Sequence, residues 1–220
     1  MAKTFTLPPG AHLCVISPAA PVTVVAQERA DVAITAAPDG MQVLEMEGKI
    51  VVKVPERSRG PLEIECPEGT DLSVSALSAP ISLQGSFGTV KANTTSGDVD
   101  LDTAASADLR SVSGDLTVAR CKGHCCLAAT SGRVQVGDVG GEVKVCSVSG
   151  DVDIATRGQG DVMVKSISGD VRILVPPGAR PNTAMKSFSG RTECCCEQGN
   201  DFLVGCKTFS GRVIVKAGEA

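Results

Sequence analysis

The chain has 220 residues, 42% of them hydrophobic, with no tryptophan or tyrosine and only five phenylalanines. Its formal charge of −4 excludes a global basic pull toward nucleic acid. No run approaches the roughly 18 apolar residues of a membrane helix, so no membrane span is expected.

That length suits one large domain or two small ones, and the abundance of valine, serine, glycine and threonine favours strands and tight turns. The opening "MAKTFTLPPGAH" carries Lys3 but no apolar run of the kind a signal peptide needs, which predicts a cytoplasmic protein. Next come short alternating segments: "VTVVAQ" (22–27), "VAITAA" (32–37), "MQVLEM" (41–46) and "KIVVKVP" (49–55), separated by turn signals such as Pro38-Asp39-Gly40. Residues 1–72 are expected to form an antiparallel β lead-in that caps the rest of the chain, because a bare sheet edge templates aggregation.

Beyond residue 72 a repeat takes over. Ser-Gly steps occur at Ser96-Gly97, Ser113-Gly114, Ser131-Gly132, Ser149-Gly150, Ser168-Gly169, Ser189-Gly190 and Ser210-Gly211, and a degenerate copy, "LSAPISL", places Ser78 one period earlier. The spacings from Ser78 are 18, 17, 18, 18, 19, 21 and 21 residues. A period near 20 over eight copies marks a solenoid with one coil per copy.

Apolar residues alternate on both sides of each step. Three positions after the serines stand Val99, Leu116, Val134, Val152, Val171, Thr192 and Val213; four before them stand Ala92, Leu109, Leu127, Val145, Val164, Met185 and Cys206. Period two means strands with one face buried, and no copy has room for a helix. Residues 73–220 are therefore expected to be an all-β, single-stranded parallel β-helix of about eight coils, each strand pairing with its equivalent in the next coil. Gly97, Gly114, Gly132, Gly150, Gly169, Gly190 and Gly211 mark corners, where a positive φ or a close backbone approach excludes a Cβ. Phe188 and Phe209, equivalent in the last two coils, are expected to stack inside and close the widened coils.

The residue two after each serine forms a charge ladder: Asp98, Asp115, Arg133, Asp151, Asp170, Arg191 and Arg212. Turn capping by short side chains is the simpler role for its aspartates, and a cation bridging neighbours the functional alternative. Three before each serine the column runs Asn93, Arg110, Ala128, Cys146, Lys165, Lys186 and Lys207, making the C-terminal coils the more basic end. Such polarity suits an anionic partner or head-to-tail stacking of copies.

The stretch "LEIECPEGTDLSVSALSAPISL" followed by "TTSGDVDL", "SVSGDLTV" and "SISGDVRILVPPG" resembles the toast-rack, or putative-adhesin, β-strand-repeat family of domains of unknown function. The resemblance covers residues from about 20 to 215 and includes Pro67-Glu68-Gly69 and Pro177-Gly178. It implies a right-handed parallel β-helix or trough, and the family has no catalytic signature to carry over.

Ten cysteines include Cys125–Cys126 and Cys194–Cys195–Cys196. Adjacent cysteines rarely bridge one another, and reduced thiols are expected. Cys194 and Cys206 fall in inward columns and read as small core hydrophobes. "CKGHCC" at 121–126 is a metal or redox candidate (Cys121, His124, Cys125 and Cys126, with Cys146 on the next coil), and "ECCCE" at 193–197, with Cys195 and Cys196 past the core column, is comparable. No second knuckle occurs at zinc-ribbon spacing, so no cofactor is assigned. His12 and His124 are the only histidines, neither beside a nucleophile, and every Ser-Gly is a corner between strands and not a phosphate-cradling turn. The expected function is that of a non-enzymatic scaffold presenting polar ladders to a protein partner. Its rivals are a self-assembling filament, a cysteine-based metal or redox sensor, and a surface adhesin.

Overall fold

The computed structural model describes residues 3–6, 12–46, 48–58 and 60–218, and every regular element in it is a strand. In chain order the first ten are β1 (Lys3–Thr6), β2 (His12–Ser17), β3 (Val22–Gln27), β4 (Asp31–Ala36), β5 (Gln42–Met46), β6 (Lys49–Lys53), β7 (Leu62–Pro67), β8 (Asp71–Ala76), β9 (Ile81–Ser96) and β10 (Val99–Ser113). Then come β11 (Leu116–Cys121), β12 (Cys125–Ser131), β13 (Val134–Val139), β14 (Val143–Ser149), β15 (Val152–Thr156) and β16 (Val162–Ser168). The last five are β17 (Val171–Val175), β18 (Asn182–Ser189), β19 (Thr192–Cys195), β20 (Leu203–Ser210) and β21 (Val213–Ala217). No helix among the described residues is long and apolar enough to cross a membrane.

Each coil contributes one strand to each of two parallel ladders, joined at the Ser-Gly corner and returned through a second corner. The first ladder runs β6, β2, β8, the second halves of β9 and β10, then β12, β14, β16, β20 and β18. The other runs β7, β3, the first halves of β9 and β10, then β11, β13, β15, β17, β21 and β19. Ten coils spaced about 4.8 Å apart give a stack about 43 Å tall. Side chains from both ladders meet in one core. Leu109, Leu127, Val145 and Val164 face Val118, Val136, Ile154 and Ile173, all buried. Each such valine, leucine or isoleucine contributes roughly 1.5–3 kcal/mol.

The parallel β-solenoid is as the repeat predicts, and it extends further toward the N-terminus than the Ser-Gly steps do. β2, β3, β6 and β7 are coils, so antiparallel pairing is confined to β1–β4, β4–β7 and β5–β6. Their corners carry a different signature: Gly60-Pro61-Leu62, Ala20-Pro21-Val22 and Ala79-Pro80-Ile81 stack in register, Leu62 N–H donating to Pro21 O (2.8 Å) and Val22 N–H to Pro80 O (3.1 Å).

Coil order departs from chain order at both ends. β2 and β3, first in the chain, lie between β6/β7 and β8/β9. β20 and β21, last in the chain, lie between β16/β17 and β18/β19. The ladder two residues after each serine therefore runs Asp170, Arg212, Arg191 and not in sequence order. The two 21-residue spacings are the length of this detour: from β17 the chain climbs two levels, about 10 Å, and then returns one. Pro176 and Pro177 lack N–H donors and end β17's pairing, and Gly178 (φ 79°) turns the chain outward. The outgoing and returning loops hold each other through Arg180 N–H to Asp201 Oδ2 (2.8 Å) and Asn182 N–H to Phe202 O (2.8 Å).

Candidate interaction surface

The corner column is built by contact between backbones. A Cβ on Gly114, Gly132, Gly150, Gly169 or Gly211 would lie 2.0–2.3 Å from the carbonyl oxygen of the corner below, and these five have φ between 126° and 144°. Gly97 and Gly190 meet the same obstacle without a positive φ. Glycine is thus required at the Ser-Gly corners because adjacent corners touch.

The aspartates of the ladder are committed to the fold. Asp98 Oδ1 accepts from Asp115 N–H (2.9 Å), Asp115 Oδ1 from Arg133 N–H (2.7 Å), Asp151 Oδ1 from Asp170 N–H (3.0 Å) and Asp170 Oδ1 from Arg212 N–H (2.9 Å). Each carboxylate stitches its coil to the next instead of capping its own turn. One oxygen of each aspartate is thereby committed to the fold, and among the described residues no three His, Cys, Asp or Glu side chains are grouped to hold a metal ion.

Exposure is concentrated one residue before each serine, on the outer side of the first ladder. In spatial order this column reads Leu77, Thr95, Val112, Thr130, Val148, Ile167, Phe209 and Phe188. Val112 is 51% exposed, Ile167 54%, Phe209 57% and Phe188 81%. The expectation that the two phenylalanines close the coils from inside is corrected here. Strand alternation puts the residue before serine outside, because the positions two and four before it point in. The rings do stack, at 4.9 Å between centroids and 11° between planes, but in solvent. Phe202, on the returning loop, is the aromatic buried at this end, close against Gly158.

Beside the apolar ridge runs the column Asn93, Arg110, Ala128, Cys146, Lys165, Lys207 and Lys186, in spatial order, with the three lysines in register. On the opposite ladder a shallow trough of about 430 Å³ lies over Ala119, Gly137 and Ala155, with Leu174 and Ile214 at one end. Gly137 has no space for a Cβ, which would sit 2.7 Å from Ala119 O.

Among the described residues the metal or redox candidates are brought together only in pairs, Cys121 with Cys125 and Cys126 near Cys146, and not in one cluster. All ten cysteines are free. Cys121 and Cys125 are buried in the core, on either side of the second corner. Cys125 holds Cys121 down to about 7, while its own thiol is pushed upward by Cys121 and by burial. Cys126 and Cys146 point outward, and His124 sits in the corner with Nδ1 3.5 Å from the Glu142 carboxylate. Cys206 is a core side chain, as its column predicts, and burial pushes its thiol up to about 12. Cys194 is only half-buried because its coil is outermost, and its Sγ lies 3.2 Å from that of Cys196.

Sequence periodicity overlooked the Gly/Ala-Pro corners. Three occurrences of Gly or Ala, then Pro, then Leu, Val or Ile, at 60–62, 20–22 and 79–81, were the available signal.

Comparison with curated proteins finds no match. Among solved structures, a putative adhesin from Bacteroides fragilis NCTC 9343 superposes with a TM-score of 0.63 at 11% identity, covering 99% of this chain and 96% of its own. A putative adhesin from Parabacteroides distasonis ATCC 8503 gives 0.58 at 12% identity, with 97% and 96% covered. A putative lipid binding protein from the same organism gives 0.52 at 10% identity, with 99% and 97% covered. None of these names is an enzyme's, and at such identities the likeness shows the fold. The Toastrack DUF4097 profile matches residues 17–199, well over half of the sequence, and the chain belongs to that family.

Proposed function

We propose that the protein is a non-enzymatic β-solenoid scaffold whose docking surface is the apolar ridge beside the Ser-Gly corners. The observation that carries this reading is the alignment of Val112, Val148, Ile167, Phe209 and Phe188 in one exposed column on a rigid stack. Isolated surface hydrophobes are ordinary, whereas a row unbroken from Val148 through Ile167 and Phe209 to Phe188 marks an interaction site. The aspartates of the polar ladder join the coils that carry the ridge, holding its residues in line. The test places a photo-crosslinking residue at Val148 and, as a control, at Gln135 on the other ladder. A protein partner captured from Val148 alone, and lost from that position in V112K/T130K with unchanged melting, is the expected result. Capture equally from both positions, or undiminished capture by the double variant, contradicts it.

Self-association is the second reading, favoured by the outermost coil. Among the described residues β18 pairs only with β20 and β19 only with β21, leaving two free strand edges over the half-buried Met185 and Cys194. A mass by light scattering that rises with concentration supports it; a constant monomer mass contradicts it.

A further inference from the structure

Resting on the ridge as a docking surface, we infer that its C-terminal end, around Phe188, Phe209 and Ile167, docks on an anionic lipid surface. Three observations converge there. The stacked rings protrude, with Phe188 81% exposed, and a bilayer, unlike a protein partner, needs no complementary pocket to receive them. Lys165, Lys207 and Lys186 form a column two residues away on the same outer face, and Arg212 and Arg191 come just past the corner. None of these five cations is in an ion pair among the described residues.

On that face of the last three coils the strand positions not yet named, Met163, Leu203, Gly205, Asn182 and Ala184, carry no carboxylate, and in the corner column Asp170 stands against Arg212 and Arg191. Over residues 162–217 eight Lys or Arg face four Asp or Glu, although the whole chain is net negative. Apolar groups flanked by long cationic side chains suit the headgroup boundary: rings enter the acyl edge, and lysine stems lie along it with their ammonium groups among the phosphates. Attraction to anionic lipid acts over about one Debye length, so the basic columns must sit close to the apolar one, as they do here.

The experiment uses the full chain with F188W, which becomes its single tryptophan, and V112W as a control on the same ridge in an early coil. Each is titrated with phosphatidylcholine vesicles containing or lacking about 30% phosphatidylserine. Expected are a blue shift and quenching by brominated acyl chains for F188W with anionic vesicles only, and no change for V112W. Co-sedimentation of the unlabelled protein should weaken at least roughly tenfold in about 0.5 M salt, and likewise in K165E/K207E and in F188S/F209S, all with unchanged melting.

An unshifted F188W, or equal binding to neutral vesicles, overturns the inference. So does a dimer in lipid-free buffer that F188S/F209S dissolves, since the rings would then serve a second copy. Binding to soluble polyphosphate that survives F188S/F209S, without vesicle binding, overturns it too. The ridge reading is tested at Val112 and Val148, so its failure is read separately.

Discussion

At the N-terminal end of the stack, β5 lies against β6, and β4 and then β1 extend the sheet beyond β7. At the C-terminal end β18 and β19 are outermost, with nothing beyond them among the described residues. Both ends nonetheless share one device: the terminal coil of the chain is inserted one level inward, so β2/β3 and β20/β21 have neighbours on both sides. Strands paired on both sides open less readily than strands at an edge, and insertion gives these coils that pairing. The difference is that only the N-terminal end adds antiparallel strands over its outermost coil. The other end keeps its open edges with charged residues nearby (Lys186, Arg191 and Glu193) and carries the exposed aromatic pair beside them. Covering suits an end that only has to be stable, and an uncovered, basic, aromatic end suits one that docks.

Substitutions at the corners should separate the middle of the stack from its open end most widely. Gly150→Val, in the middle, combines a φ of 139° with a Cβ 2.0 Å from Gly132 O. It is expected to cost about 3 kcal/mol or more by denaturant unfolding. Gly190→Val faces a similar 2.0 Å approach to Gly211 O, but its φ is not positive and its coil can back away, so about 1 kcal/mol is expected. Equal losses would mean that the end coil is as constrained as the middle.

Smaller effects come from the thiols. Cys206→Ser buries a hydroxyl in the apolar column between Val164 and Met185 and should cost about 2 kcal/mol. Cys194→Ser, at the half-buried end, should stay within about 0.5 kcal/mol. A reversal of that order would place Cys194 in the interior coil.

The smallest effect concerns pH at the covered end. Burial, with Lys49 close by, lowers His12 from its ordinary value near 6.5. The unfolded chain then takes up a proton before the folded one, so stability falls as pH drops through 6.5 and levels off below the folded value. Thermal melting between about pH 7.5 and 5.5 should show this slope, and His12→Gln should reduce it. A slope unchanged in that variant would assign it elsewhere.

These contrasts also measure what the sequence discloses. The Ser-Gly-Asp corners declare the parallel solenoid, because a backbone touching its neighbour leaves room only for glycine, once per coil. Periodicity identifies equivalent residues, but not the order in which coils stack. A spacing of 21 residues fits a wider coil or a detour equally well, and only the pairing of Ser168 with Ser210 decides. The N-terminal coils are hidden because proline, not Gly-Asp, turns their corners. The hydrophobicity of Phe188 and Phe209 points inward, although strand parity already puts them outside. The inter-coil role of Asp98, Asp115, Asp151 and Asp170 needs the register, since each partner lies 17 to 42 residues away.

The insertion of the last coil is tested most directly by hydrogen exchange resolved by mass spectrometry. Peptides spanning 203–210 and 213–217 should exchange as slowly as 162–168, and peptides spanning 182–189 and 192–195 should exchange fast. Slow exchange at 182–195 with fast exchange at 203–217 would restore sequential stacking and contradict the insertion.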